Sequence, residues 1–139
     1  MYEYNCTVEK VVDGDTIDVV LDLGFDILYK SRVRLYGIDT PESRTRNKDE
    51  KARGKMAGAF LEEAIEDGEK VVIQTKLKDS RGKFGRVLGD VVVDGVNINK
   101  LMVKCHLAVA YHGQSKKDVE AEHMRNRDIL IEKGIFEPV

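Results

Sequence analysis

Two short acidic clusters carry the residue types in this chain that could do chemistry: Asp13-Gly14-Asp15-Thr16 and Asp39-Thr40-Pro41-Glu42. Alone, each is ordinary turn material. A glycine between two acids makes a tight turn, and Pro41 fixes one after Asp39-Thr40. Together they outline a cation site. Asp15, Asp39, the Thr40 carbonyl and water would form an oxygen-only donor set, which suits Ca2+ better than zinc. Two carboxylates are a low count, so water and a substrate phosphate would complete the shell. A structural site avoids such openness; a catalytic one needs it.

Arginine adds the second component. Arg34 lies inside an apolar stretch, Leu35-Tyr36-Gly37-Ile38, that runs directly into Asp39. A perfect strand would put Arg34 and Asp39 on opposite faces, but Gly37 between them could mark a bulge that shifts the alternation. Arg86 follows Gly82-Lys83-Phe84-Gly85 and opens a strand-like run to Val93. A solitary arginine is usually a surface charge. Two of them near paired carboxylates suggest a planar fork for a phosphate. His106, His112 and His123 have no zinc-type spacing and read as surface or packing histidines. No Ser-His-acid or Cys-His arrangement stands out, which disfavours covalent acyl chemistry.

The elements that must hold these residues are mostly strands. Ile17, Val19, Leu21 and Leu23 alternate with Asp18, Val20 and Asp22, and residues 28–38 form a second long strand after a reversal at Gly24-Phe25-Asp26. Residues 71–75 and 87–93 supply more, and Asp94-Gly95 is a strong hairpin signal. Three helices accompany them. Residues 50–66 place Ala57, Phe60, Leu61, Ala64 and Ile65 on one stripe, with Asp67-Gly68 as the stop. Asn97 can cap a short helix with Ile98, Leu101, Met102 and Cys105 on one side. The last helix, about 116–133, is largely polar, with Val119, His123 and Leu130 as its inward positions and Gly134 as its end. The pattern predicts an α+β, mainly β architecture: a five-stranded OB-fold barrel carrying three helices.

The whole chain sets limits. Its 139 residues, with 42% apolar and 35% charged side chains, are expected to make one soluble domain over 1–139. No apolar stretch has membrane-spanning length. Met1-Tyr2-Glu3-Tyr4 lacks a secretory start, which predicts an intracellular form, cytoplasmic or virus-encoded, or a secreted one if a leader was removed. Cys6 and Cys105 fit no metal spacing and read as two reduced thiols, although a disulfide stays possible in sequence terms. A net charge of −2 argues against gripping nucleic acid by overall positive charge. Basic residues are nevertheless concentrated: Arg44, Arg46, Lys48, Lys51, Arg53 and Lys55 in one run, Lys76, Lys78, Arg81, Lys83 and Arg86 in another. They are either solvated loops or runs that steer an anion.

DGDTI, RLYGIDTPE and GKFGR, in this order, resemble the staphylococcal nuclease (thermonuclease) family, and the resemblance extends from about Thr7 to Lys133. It implies an OB-fold barrel with three helices and Ca2+-dependent hydrolysis of phosphodiesters in DNA and RNA, with 3′-phosphate ends. By this resemblance Asp15 and Asp39 are the metal carboxylates, Thr40 lends its carbonyl, and Asp13 acts on the metal through water. Glu42 would orient or deprotonate the attacking water, and Arg34 and Arg86 would hold the scissile phosphate. Lys83, Phe84 and Tyr111 would contact the nucleotide. Gly82, Phe84 and Gly113 depart from the family, which commonly has Asp, Tyr and Tyr there. These departures remove hydrogen-bonding groups from the nucleotide pocket but leave the catalytic set intact. No membrane and no obligate protein partner are implied, and a monomer is expected. Two rival expectations are an idle OB-fold module that only binds nucleic acid and a Ca2+-stabilised structural barrel. The first would be marked by loss of the acids or arginines, and the second leaves Arg34 and Arg86 without a purpose.

Overall fold

The computed structural model describes residues 2–75 and 87–139. Lys83, Phe84, Arg86 and the rest of the second basic run therefore lie outside the described residues. In chain order the elements are β1 (Glu3–Asp13), β2 (Thr16–Asp22), β3 (Leu28–Leu35), β4 (Ile38–Asp39), α1 (Lys48–Asp67), β5 (Val71–Thr75), β6 (Val87–Val93), β7 (Val96–Asn97), α2 (Ile98–Lys104), β8 (Val109–Ala110) and α3 (Lys116–Glu132).

Antiparallel pairing runs β3-β2-β1-β5-β6, and a parallel pairing of β3 with β6 (Val33 with Val87, Leu35 with Gly89) closes the ring. The result is the expected five-stranded barrel with three helices. β1 is the strand that apolar alternation did not announce. It exposes much of its length, and its register with β2 shifts twice, between Val8 and Lys10 and between Val11 and Asp13. Such irregularities bend a strand, which lets β1 pair with β2 at one end and β5 at the other.

Alternate residues of β2 and β3 fill the interior: Ile17, Val19, Val33 and Leu35 are fully buried, joined by Ile73, Val91, Leu61 of α1 and Met102 of α2. Gly14 is needed where α1 crosses the β1–β2 turn, since a Cβ there would stand 2.8 Å from that of Ala57 and 3.0 Å from Thr40 Cγ2. Asn99 of α2 is buried and satisfied on all sides. Its oxygen accepts from Val91 N, and its amide donates to the Tyr36 and Gly89 carbonyls and to Asp90 Oδ1. It pins the turn after β3, on which the site depends.

Two expectations, on strand 28–38 and on the first basic run, need correction. Strand 28–38 is interrupted: β3 stops at Leu35, and Gly37, at φ +75°, turns the chain before β4. Gly68 caps α1 as expected, in an extended conformation, and a Cβ there would collide with Val93. The first basic run is only partly a loop. α1 already starts at Lys48, with Asn47 accepting from Glu50 N, so Lys51, Arg53 and Lys55 are helical. Arg53 is 7% exposed and paired with the Asp49 carboxylate rather than turned to solvent. Cys6 and Cys105 are free thiols, and burial pushes Cys6 up to about 11. Among the described residues, no helix is long and apolar enough to cross a membrane.

Candidate active site

The β1–β2 turn, the end of β3 and β4 meet at one rim of the barrel, and each brings a charged residue. Arg34 is opposite Thr16 in the β2–β3 pairing, next to Asp15, and the Asp15 carbonyl accepts from Leu35 N at 2.8 Å. The left-handed turn at Gly37 reverses the alternation. Asp39 thus arrives on the side of Arg34 despite the odd spacing between them, the outcome for which a bulge at Gly37 was expected.

One nitrogen of Arg34 lies 3.4 Å from Asp15 Oδ2 and 3.7 Å from Asp39 Oδ1. Another donates to the Leu35 carbonyl at 2.8 Å and fixes the guanidinium at the rim. Asp15 is held by its neighbours: the Thr16 hydroxyl donates to Oδ1 at 3.1 Å and the Thr40 backbone N–H to Oδ2 at 3.3 Å. Thr40 is itself buried. Asp13 lies apart from this pair, and its Oδ1 accepts from the Ser43 hydroxyl. Glu42 stands at the cleft mouth. Partial burial, followed by the charges of Asp15, Asp39, Asp13 and Glu50, raises its carboxyl above the usual range.

Arg34, Asp39, Thr40 and Glu42 line a cleft of about 1010 Å³, together with Tyr36, Tyr111, Gly113, Lys116 and His123; Asp15 adjoins it through Arg34, and Asp13 and Ser43 line a separate pocket. Tyr111 follows β8, which pairs Val109 with Asp39. Its N–H donates to the Gly37 carbonyl at 2.7 Å, and its side chain is exposed to the cleft. The structure thus brings Asp15, Arg34, Asp39, Thr40, Glu42 and Tyr111 together. Asp13 contributes at longer range.

Two participants were not found in the sequence. Ser43 orients Asp13. His123 was placed on the inward side of the last helix but read as packing; its Nε2 lies 2.8 Å from Asp39 Oδ2. The available signal was that His123, Asn126 and Arg127 share the helical stripe of Val119 and Leu130, an odd place for three polar side chains.

The donor chemistry fits a hard cation. Asp15 and Asp39 offer oxygens that already converge on a single positive nitrogen, and their charges add to burial in raising Glu42. Among the described residues, no group of three or more His, Cys, Asp and Glu side chains is placed to hold a metal ion, so the chain itself offers two carboxylates.

A family model described as "Staphylococcal nuclease homologue" matches residues 32–129. The chain is 36% identical over 137 residues to the SPbeta prophage-derived endonuclease YokF of Bacillus subtilis, covering 92% of this chain and 44% of that protein. It is 34% identical over 108 residues to endonuclease YncB of the same organism, covering 77% of this chain and 48% of the relative. Against endonuclease YhcR, also from Bacillus subtilis, identity is 30% over 115 residues, or 78% of this chain and 9% of the relative. The chain therefore spans less than half the length of these relatives. With its barrel, its acidic rim and its match over residues 32–129, the chain belongs to the staphylococcal nuclease family.

Proposed function

We propose that this domain is a nuclease that hydrolyses phosphodiester bonds in DNA and RNA, depends on Ca2+ and leaves 3′-phosphate ends. The observation that carries this reading is the convergence of Asp15 and Asp39 on Arg34, with Arg34 and Asp39 lining one cleft beside a Glu42 of raised proton affinity. Relatives named endonucleases support the reaction class. An idle binding module would have no use for this arrangement.

Asp15, Asp39 and the Thr40 carbonyl would hold the cation, with Asp13 acting through water. Bound Ca2+ supplies a fixed positive charge against the phosphate oxygens. The chain's own residues do the rest. Arg34, fixed by the Leu35 carbonyl, presents its guanidinium to a phosphate whose equatorial oxygens gain charge during attack. On binding, the phosphate would compete with Asp15 and Asp39 for that guanidinium. Arg86, outside the described residues, is assigned the second half of this fork. Glu42 orients the attacking water and accepts its proton, a role suited to a carboxylate whose affinity for a proton is raised. Tyr111 lies beside the path of the nucleotide, with Lys83 and Phe84 proposed as its other contacts. We read residues 1–139 as one domain that acts as a monomer.

Plasmid DNA and a defined RNA, incubated with Ca2+, with Mg2+ or with chelator, test this proposal. Degradation with Ca2+, little with Mg2+ because of its stricter octahedral demand, and none in chelator are expected. Product ends should resist polymerase extension until a phosphatase has acted. Full activity in chelator, or with Zn2+ alone, would sink the calcium assignment.

A further inference from the structure

We infer that His123 of α3 is a positioning residue for Asp39, setting the carboxylate's rotation and hence the affinity of the rim for Ca2+; this rests on the proposed calcium-dependent activity. A carboxylate only accepts hydrogen bonds, so Nε2 of His123 carries the proton and donates to Asp39 Oδ2 at 2.8 Å. The other ring nitrogen, Nδ1, is buried without a partner among the described residues. The ring's one polar link is therefore Asp39. Burying a polar ring for packing alone is unfavourable when an apolar side chain of similar size would serve.

The contact divides the labour of the carboxylate. Oδ2 is held by α3, so Oδ1 stays turned toward the Arg34 nitrogen that Asp15 shares. Little else restrains Asp39, which sits on a strand of two residues with its side chain 35% exposed. His123, in contrast, is 12% exposed and stands on an anchored helix face. Asn126 Nδ2 donates to the Ala108 carbonyl at 3.2 Å, and Arg127 Nε donates to Asp49 Oδ1 at 3.0 Å. These lie three and four residues beyond His123, so one stripe of α3 grips three separate segments. Without the histidine, Asp39 is free to swing onto Arg34 and shut the position that a cation would use.

Partners of this kind tune metal affinity, and their loss typically costs ~10- to 100-fold. Isothermal titration of Ca2+ alone into the full chain reads this directly. His123→Leu keeps bulk and removes the donor; it should bind Ca2+ at least ~10-fold more weakly. His123→Gln places an amide N–H near Nε2 and should recover most of that loss. His123→Asn, polar but too short to reach Asp39, should behave like the leucine variant and covers the case in which leucine fails to fold. In nuclease assays the Ca2+ concentration for half-maximal rate should shift alike, with kcat at saturating Ca2+ largely regained. Unchanged Ca2+ affinity in a folded leucine or asparagine variant, or glutamine no better than asparagine, would overturn the inference alone. If the unmodified protein binds no Ca2+ and cleaves with chelator present, the calcium reading fails first and takes this one with it.

Discussion

Two clusters of aspartate and arginine in this molecule are built from the same side chains and come out opposite. At the barrel rim two carboxylates, Asp15 and Asp39, share one guanidinium at 3.4 and 3.7 Å, and Arg34 and Asp39 line an open cleft. At the α1–α3 junction one carboxylate, Asp49, accepts from two guanidiniums, Arg53 and Arg127, each at 3.0 Å. The rim has carboxylate in excess and long contacts, so charge is left over for a ligand. The junction has short hydrogen bonds, shields Asp49 and Arg53 from water, and ties two helices. Charge composition alone therefore says little about function. The sign of the imbalance and its access to solvent decide it.

The junction should give the largest effect. Removing the shared acid by Asp49→Ala leaves the buried Arg53 without its partner and Arg127 with Asp128 alone at 3.6 Å, and breaking a buried pair in this way costs ~3–5 kcal/mol. Urea denaturation should show that loss. The junction also predicts a pH dependence. Burial works to raise the Asp49 carboxyl, but hydrogen bonds from Arg127 and Arg53, with their charges, outweigh it and hold the group below the ordinary value. An aspartate depressed in the folded state stabilises fully above the unfolded value of about 3.9, and loses that contribution as pH falls through the folded value. The unmodified protein should thus lose stability steeply below about pH 4, and Asp49→Asn should flatten the slope. Equal slopes would mean that the junction is not an electrostatic tie.

The rim should respond in rate where the junction responds in stability. Arg34→Ala should raise the barrier by about 3 kcal/mol, or ~10²-fold in kcat, as the loss of one charge-stabilising donor typically does. Arg34→Lys should rescue poorly, since a point charge cannot reproduce the fork. A folded alanine variant with near-normal kcat would remove Arg34 from the phosphate site and erase the contrast between the clusters.

The same contrast explains what could be read in the sequence. The rim was legible because its parts are local: Asp13 to Thr16 and Arg34 to Glu42 are short segments whose glycine and proline announce turns. The helices were legible to within two residues because Asn97 and the apolar stripes are local signals as well. β5 and β6 matched their expected spans for the same reason. The junction was not legible. Asp49 and Arg127 are 78 residues apart and Asp39 and His123 are 84 apart, and no local pattern encodes such meetings. Arg53 looked like one more cation in a basic run; its burial and its pairing with Asp49, which Arg127 of α3 shares, appear only in the fold. β1 escaped because its bulges and exposure blur the alternation by which strands are found.

The smallest effect should come from the cations that remain at the surface. With Arg53 assigned to the junction, five exposed cations of the basic run remain, of which Arg44, Arg46 and Lys48 lie before or at the start of α1 and Lys51 and Lys55 further along it. Arg44, Arg46 and Lys48 make no hydrogen bond or ion pair with Asp15, Arg34 or Asp39, so they can act on a polyanion only through space. Charges at that remove are screened over ~10 Å at 0.1 M salt. Neutralising all three to glutamine should raise KM for DNA at low ionic strength, by roughly 10-fold at the lower end of electrostatic steering, and should have little effect at high salt. kcat should hardly move, because no reacting group is touched. Arg53→Gln is the companion measurement: as a buried partner of Asp49, it should cost stability at every salt concentration rather than raise KM at low salt alone. If the triple variant leaves KM unchanged at all salt concentrations, these three side chains are only a solvated surface, and substrate attraction must come from the cleft or from Lys76 to Arg86. If Arg53→Gln behaves like them, the division of the basic run between steering and structure is wrong.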